Sequence, residues 1–218
     1  MPYAGAAQPH RARSTALIAG IVGRVSAEAV QKTLVLLAFA GLAGVALTAV
    51  GAVLQGVGVG RLGSRIARLV DGAELGLAWV VALVATAGSL YFSEVADYIP
   101  CELCWFQRIG MYPLVIVLFI AMLRNDRWIW PYALALSVAG LAVSVYHYQL
   151  EWFPEQSTIC SSTASVPCTV VWFRHWEVGT IPFLAGSAFL AISCLLVLAA
   201  LNERRASATD ADAAPPAP

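Results

Sequence analysis

Cys101 and Cys104 stand three residues apart and are followed by Trp105-Phe106-Gln107-Arg108 and then by a long apolar run. A C-x-x-C pair is the residue set of thiol–disulfide exchange, and here it opens what reads as a membrane helix. With helix from Cys101 onward, Cys101, Cys104 and Arg108 fall at i, i+3 and i+7, on one face. A helix N-terminus and an arginine both favour thiolate over thiol, and the thiolate attacks disulfides and electrophiles. The helix beyond is apolar enough for lipid, so the expected electron partner is lipid-soluble.

A second pair, Cys160 and Cys168, flanks the short polar loop Ser161 to Pro167, which is too small to have a core. A bridge across it is expected to be exposed and open to the thiol of another protein. Two pairs on one side of a membrane make a relay: one takes electrons from a soluble dithiol, the other delivers them to the membrane. Two other readings compete. Four thiolates around zinc usually come as two tight pairs, which the Cys160 to Cys168 spacing does not supply, so no metal is expected. Two inert structural disulfides on a membrane scaffold or transporter subunit are the stronger competitor. Against them stand the helix-start location and Arg108 one turn on.

The elements that must hold these residues are helices in a bilayer. Of 218 residues, 60% are hydrophobic and 12% charged, and the mean hydropathy is +0.75. A soluble domain needs more polar surface than this, and no basic face suggests nucleic acid. About 20 mostly apolar residues span a bilayer as a helix. Leu75 to Phe92, Trp105 to Leu123, Trp128 to Leu150 and Thr180 to Leu201 qualify, forming an all-α four-helix unit over residues 75–201 with two redox loops on one face. Thr33 to Val59 is long enough to be an extra N-terminal transmembrane helix. Residues 1–32 read as a weakly ordered extension and 206–218 as a disordered tail.

Arg61, Arg65, Arg68, Arg124, Arg127, Arg204 and Arg205 all flank the four helices on one side. The other side carries Arg108 and Arg174 among six acidic residues. The positive-inside bias makes the arginine side cytoplasmic and puts both cysteine loops outside, where disulfides persist. If Thr33 to Val59 spans, the N-terminus lies outside too. Pro113, Pro131 and Pro182 are expected in or near first helical turns. Thr169 to Glu177, with Trp172, Phe173 and Trp176, suggests a short helix on the membrane surface. His147, near the outer end of the third helix, is a titratable group where a quinone would gain protons. His10 and His175 read as surface residues, and Cys194, mid-helix, as a packing cysteine.

Pro100-Cys-x-x-Cys-Trp-Phe-Gln-Arg-Ile, Met111-Tyr112-Pro113, Tyr146-His147, the outer cysteines 160 and 168, and Gly179-Thr-Ile-Pro-Phe-Leu184 together resemble the disulfide bond formation protein B (DsbB) family. The short second loop and the start of the last helix look most like its Gram-positive branch, often called BdbC. The resemblance covers about Leu75 to Leu201. It implies a multi-pass protein of the bacterial cell (inner) membrane, a thiol:quinone oxidoreductase that reoxidises an extracytoplasmic thioredoxin-like dithiol oxidase. The electrons pass to ubiquinone or menaquinone in the membrane pool. By the same resemblance Cys160 forms the mixed disulfide with the partner, Cys168 exchanges with Cys101, and Cys104 meets the quinone. Arg108 then stabilises the thiolate, and His147 belongs to the quinone site. Glu151 stands where some members carry glutamine. The nearest enzymatic rival, a vitamin K epoxide reductase-like protein, has its loop pair before the C-x-x-C; here the C-x-x-C comes first.

Overall fold

In the computed structural model, residues 27–56, 72–156, 160 and 166–213 are described. Five helices account for most of them: α1 (Ala27–Gly56), α2 (Glu74–Glu94), α3 (Glu102–Arg124), α4 (Trp130–Trp152) and α5 (Ile181–Ala213). All five are long and apolar enough to cross a membrane. Among the described residues no strand forms beyond a single bridge between His175 and Gly179. The chain is thus an all-helical, multi-pass membrane protein with an N-terminal helix added to a four-helix bundle.

Helices α2 to α5 pack as a ring, each against its neighbours, and α1 lies outside it against α5. The ring closes on Phe189 of α5, which is fully buried with Leu114, Leu118, Ile192 and Leu196. Phe189 fits because glycines face it: a Cβ on Gly140 would lie 2.3 Å from its ring, and one on Gly110 3.3 Å. In lipid, where burial of apolar area gives little drive between helices, such close approach and interhelical hydrogen bonds hold the bundle. Ser137 donates to the Phe189 carbonyl at 2.9 Å, and Ser193 donates to Ser137 at 3.0 Å. At the other end Asn202 donates to the buried Glu74 carboxylate at 2.8 Å.

Several expectations need correction. The first turns of α1 cover Ala27 to Lys32, six residues assigned to the weakly ordered extension; they are good helix formers joined by a Glu28–Lys32 ion pair at 2.6 Å. Residues 1–26 and 57–59 lie outside the described residues. Helix α5 continues to Ala213, into the tail expected to be disordered, because that stretch is alanine-rich and meets no proline before Pro215. Pro113 is inside α3 rather than near its start, since the helix begins at Glu102; it removes the N–H that would bond the Ile109 carbonyl. Pro131 and Pro182 do lie in first turns.

Residues 169–177 form no helix. Trp176 and Glu177 take positive φ (49° and 65°), and His175 and Gly179 exchange backbone hydrogen bonds of 3.0 and 2.8 Å around that turn. Two of its aromatic residues, Trp172 and Phe173, pack on Tyr98 and Phe92, while Trp176 stays exposed. Trp172 stacks on Tyr98 at 4.8 Å, Tyr98 stacks on Phe92 at 5.8 Å, and Phe173 packs on Phe92 at 5.3 Å. This stack fastens the loop before α5 to the loop before α3 and so brings the two cysteine pairs to one end of the bundle.

Candidate functional site

Cys101 is the N-cap of α3, not part of its first turn: its backbone is extended (φ −75°, ψ 175°), and its Sγ accepts the Cys104 N–H at 3.3 Å. The Cys101 and Cys104 sulfurs, both unbridged, are 2.8 Å apart. Cys101 is buried and Cys104 half-buried. A thiol at an N-cap meets unpaired N–H groups and the positive end of the helix dipole, which favours its charged form. The Cys101 thiol is accordingly pulled down to about 4, first by the hydrogen bond from the Cys104 thiol and then, against the opposing effect of burial, by His147.

His147, one helix away on α4, aims Nε2 at both the Cys101 sulfur (3.6 Å) and the Cys168 carbonyl (3.1 Å). A carbonyl only accepts, so Nε2 carries the proton, and Nδ1 is left to accept from the Gln107 amide at 3.4 Å. The ring is therefore fixed as a donor to the thiolate and a tether to the second loop. Cys101, Cys104 and His147 present their ligand atoms within 4.8 Å of one another, a metal-competent trio that sequence spacing did not reveal. Both ring nitrogens are already engaged within the protein.

Cys160 and Cys168 form a disulfide. It is not the freely exposed bridge expected from the short polar loop. Cys168 is buried at 1% exposure against Cys101, Leu103 and Leu150, with Cys160 half-buried at the edge of the same cluster. The bridge packs instead on the cluster under Cys101. The consequence is directional: Cys160 is the more accessible sulfur, and Cys168 faces the C-x-x-C.

On the other side of α3 lies a cleft of about 360 Å³ between α1, α2, α3 and α5. Its lining is mainly apolar, and Ser89, Tyr98, Cys104, Gln107, Arg108, Tyr112 and Ser187 are its polar groups. Arg108 is held by Ser89 of α2, donating to its hydroxyl and its carbonyl, each at 3.0 Å, and lies 5.1 Å from the Trp105 ring centre. Cys104 lines this cleft, whereas Cys101 and His147 do not; His147 reaches it through Gln107. An apolar cleft of this size with a few convergent polar groups has the character of a small-molecule site.

Gln107 and Ser89 escaped the sequence reading because a glutamine or serine in a helix carries no signal until its neighbour is known. His175, read as a surface residue, is half-buried and donates from Nε2 to Gln31 of α1 at 2.9 Å; His10 lies outside the described residues. Glu151 buries its carboxylate one turn beyond His147, with Arg174 4.0 Å away and stacked on Trp152 at 4.4 Å. Cys194 lies far from the cleft's polar end, its sulfur 3.4 Å from the Thr48 hydroxyl of α1.

Residues 73–202 match the family model described as disulfide bond formation protein DsbB. Disulfide bond formation protein C of Bacillus subtilis is 45% identical over 120 residues, covering 55% of this chain and 87% of that protein. A Coxiella burnetii protein named probable disulfide formation protein is 42% identical over 149 residues, 65% of this chain and 99% of its own length. No solved structure matches. With a matched region that begins just before α2, contains both cysteine pairs and ends within α5, the chain belongs to the DsbB family of disulfide bond formation proteins.

Proposed function

We propose that this protein is a thiol:quinone oxidoreductase that reoxidises an extracytoplasmic thioredoxin-like dithiol oxidase and passes the electrons to membrane quinone. The observation that carries the reading is the placement of the two cysteine pairs. One is packed on the other at Cys168 and Cys101, and Cys104 alone of the four lines the apolar cleft. The arginine distribution supports an outward orientation of both loops, in the cell membrane of a bacterium.

The exchange balances as follows. A partner thiolate attacks the Cys160 sulfur, the Cys160–Cys168 bond breaks, and Cys168 leaves as thiolate. The partner's second thiol then closes the partner's disulfide and releases Cys160. Cys168 attacks Cys101 of an oxidised Cys101–Cys104 pair, Cys104 leaves as thiolate, and Cys160 then attacks Cys168 and releases Cys101. Two electrons now reside on Cys101 and Cys104, with Cys160–Cys168 bridged again and the C-x-x-C open.

The cleft suits a quinone: it is apolar, and Gln107, Arg108 and Tyr112 offer donors for ring oxygens beside Cys104. A bound quinone supplies an acceptor of two electrons and two protons. Thiol oxidases of the strongly oxidising kind lie near about −120 mV, so their terminal acceptor must lie higher. Arg108, fixed by Ser89, keeps a positive charge where negative charge develops. His147 holds the Cys101 thiolate by donating to it and steadies the second loop through the Cys168 carbonyl. The Gln107 amide keeps that imidazole in its donor tautomer.

The test is a trap. A partner with only its nucleophilic cysteine, added to the fully oxidised chain, should give a disulfide-linked complex whose bridge maps to Cys160. The complex should vanish in Cys168→Ala, which has no loop disulfide to attack. No complex at all would favour inert structural disulfides, and a bridge through Cys101 would overturn the order of the relay.

A further inference from the structure

Helix α1 lies wholly outside the family match, which begins at residue 73, yet it is built into the site. Leu34, Leu37, Ala38 and Gly41 follow one another at i, i+3, i+4 and i+7, a single helical face, and all four line the cleft shared with Cys104 and Arg108. One turn nearer the N-terminus, Gln31 is 5% exposed and holds both outer loops: its amide donates to the Tyr98 hydroxyl at 2.8 Å and its carbonyl accepts from His175 at 2.9 Å. A buried amide is costly unless both of its ends are paired, and here each end is paired to a different loop.

The contact is also close. A Cβ on Gly88 would lie 2.9 Å from Leu34, and one on Gly179 2.8 Å from Val35, which is fully buried. Glycine at both positions lets α1 approach the α2 backbone and the end of the second loop. A helix serving only as an anchor would need neither the amide clamp nor a continuous face along the cleft.

We propose that α1 is the fourth wall of the quinone cleft, with Leu34, Leu37, Ala38 and Gly41 retaining the bound quinone and Gln31 locking that wall to the loops that carry the cysteines. The proposal rests on the quinone reading above. It makes α1 a determinant of quinone affinity that a four-helix member of the family would lack.

The experiment uses the full chain in lipid nanodiscs with an azido-quinone photolabel, competed by the unlabelled quinone. Competable label should map to the Leu34 to Gly41 stretch as well as to α3. Ala38→Phe should weaken quinone binding, read as Kd from displacement of the label, by about fivefold or more, because the added ring occupies the cleft. Leu47→Phe, on a 58% exposed position that does not line the cleft, should bind as the unaltered chain does. Label confined to α2, α3 and α5, or an unchanged Kd in folded Ala38→Phe, would overturn the role of α1 while leaving the quinone reading standing. No competable label anywhere on the chain would overturn both. The label map is taken on the unaltered chain, so it decides the matter even if Ala38→Phe does not fold.

Discussion

Replacing His147 with phenylalanine keeps an aromatic ring in the slot between α3 and the second loop but removes both nitrogens. The Cys101 thiolate then loses the Nε2–H donor at 3.6 Å, the Cys168 carbonyl loses its donor at 3.1 Å, and the Gln107 amide loses its acceptor. A hydrogen bond to a charged group contributes about 1.5–3 kcal/mol, and one pKa unit corresponds to about 1.4 kcal/mol, so the Cys101 thiol should rise by about 1–2 units. The direction follows from the donor stabilising the charged form: without it, thiolate appears only at higher pH. Starting from a thiol held at about 4, the thiolate fraction at pH 5 should fall by about twofold to tenfold. The assay is the pH dependence of iodoacetamide alkylation of Cys101, followed by peptide mass spectrometry with Cys160–Cys168 kept bridged. Gln107→Leu should shift the profile the same way by less, because it frees the imidazole tautomer without removing the ring. The two changes together should sum to less than their separate effects, as expected of one network. An alkylation profile in His147→Phe that overlays the unaltered chain's would refute the assignment of Nε2 as the thiolate's donor.

Other consequences can be checked alongside. Arg108→Ala should slow quinone reduction by about a hundredfold while leaving stoichiometric exchange with reduced partner intact, since Arg108 lines the cleft and makes no contact with Cys160 or Cys168; equal loss in both half-reactions would contradict that division. Gly140→Ala should destabilise the bundle by about 1–3 kcal/mol, because its Cβ would meet the Phe189 ring, and thermal melting in detergent would register the loss. Cys194→Ala should retain near-normal turnover with a quinone, because its sulfur meets Thr48 rather than any relay cysteine.

The helices of the bundle were legible in the sequence because membrane spans are written in long apolar runs. The C-x-x-C pair could be placed from sequence because it opens an apolar run, whereas the packing of Cys168 on Cys101 could not, since the two lie in different loops. Arg108 was legible in identity, although its setting was not: it turns to Ser89 on α2, and no helical spacing within α3 shows that. For the Cys101 thiolate the stabilising groups are the Cys104 thiol beside it and His147 across the bundle, and spacing within α3 does not show the second. Thr169 to Glu177 looked amphipathic because its aromatic residues were taken to face a membrane. Trp172 and Phe173 pack on Tyr98 and Phe92, and tertiary packing overrides a local pattern of that length. Gln31 and its helical face were the least visible. Gln31 stands beside Lys32, before the apolar run that begins at Thr33, and only the fold reveals that its amide joins two loops.

The most direct measurement is turnover under anaerobic conditions with purified chain, an excess of a reduced thioredoxin-like dithiol oxidase and an excess of quinone. A relay ending on quinone should give one quinol for each partner disulfide formed, over many cycles, with quinol formation abolished in Cys104→Ala. A fully oxidised chain stores only the two disulfides of its four relay cysteines. Partner oxidation that stops at or below two disulfides per chain, with no quinol produced, would contradict the relay.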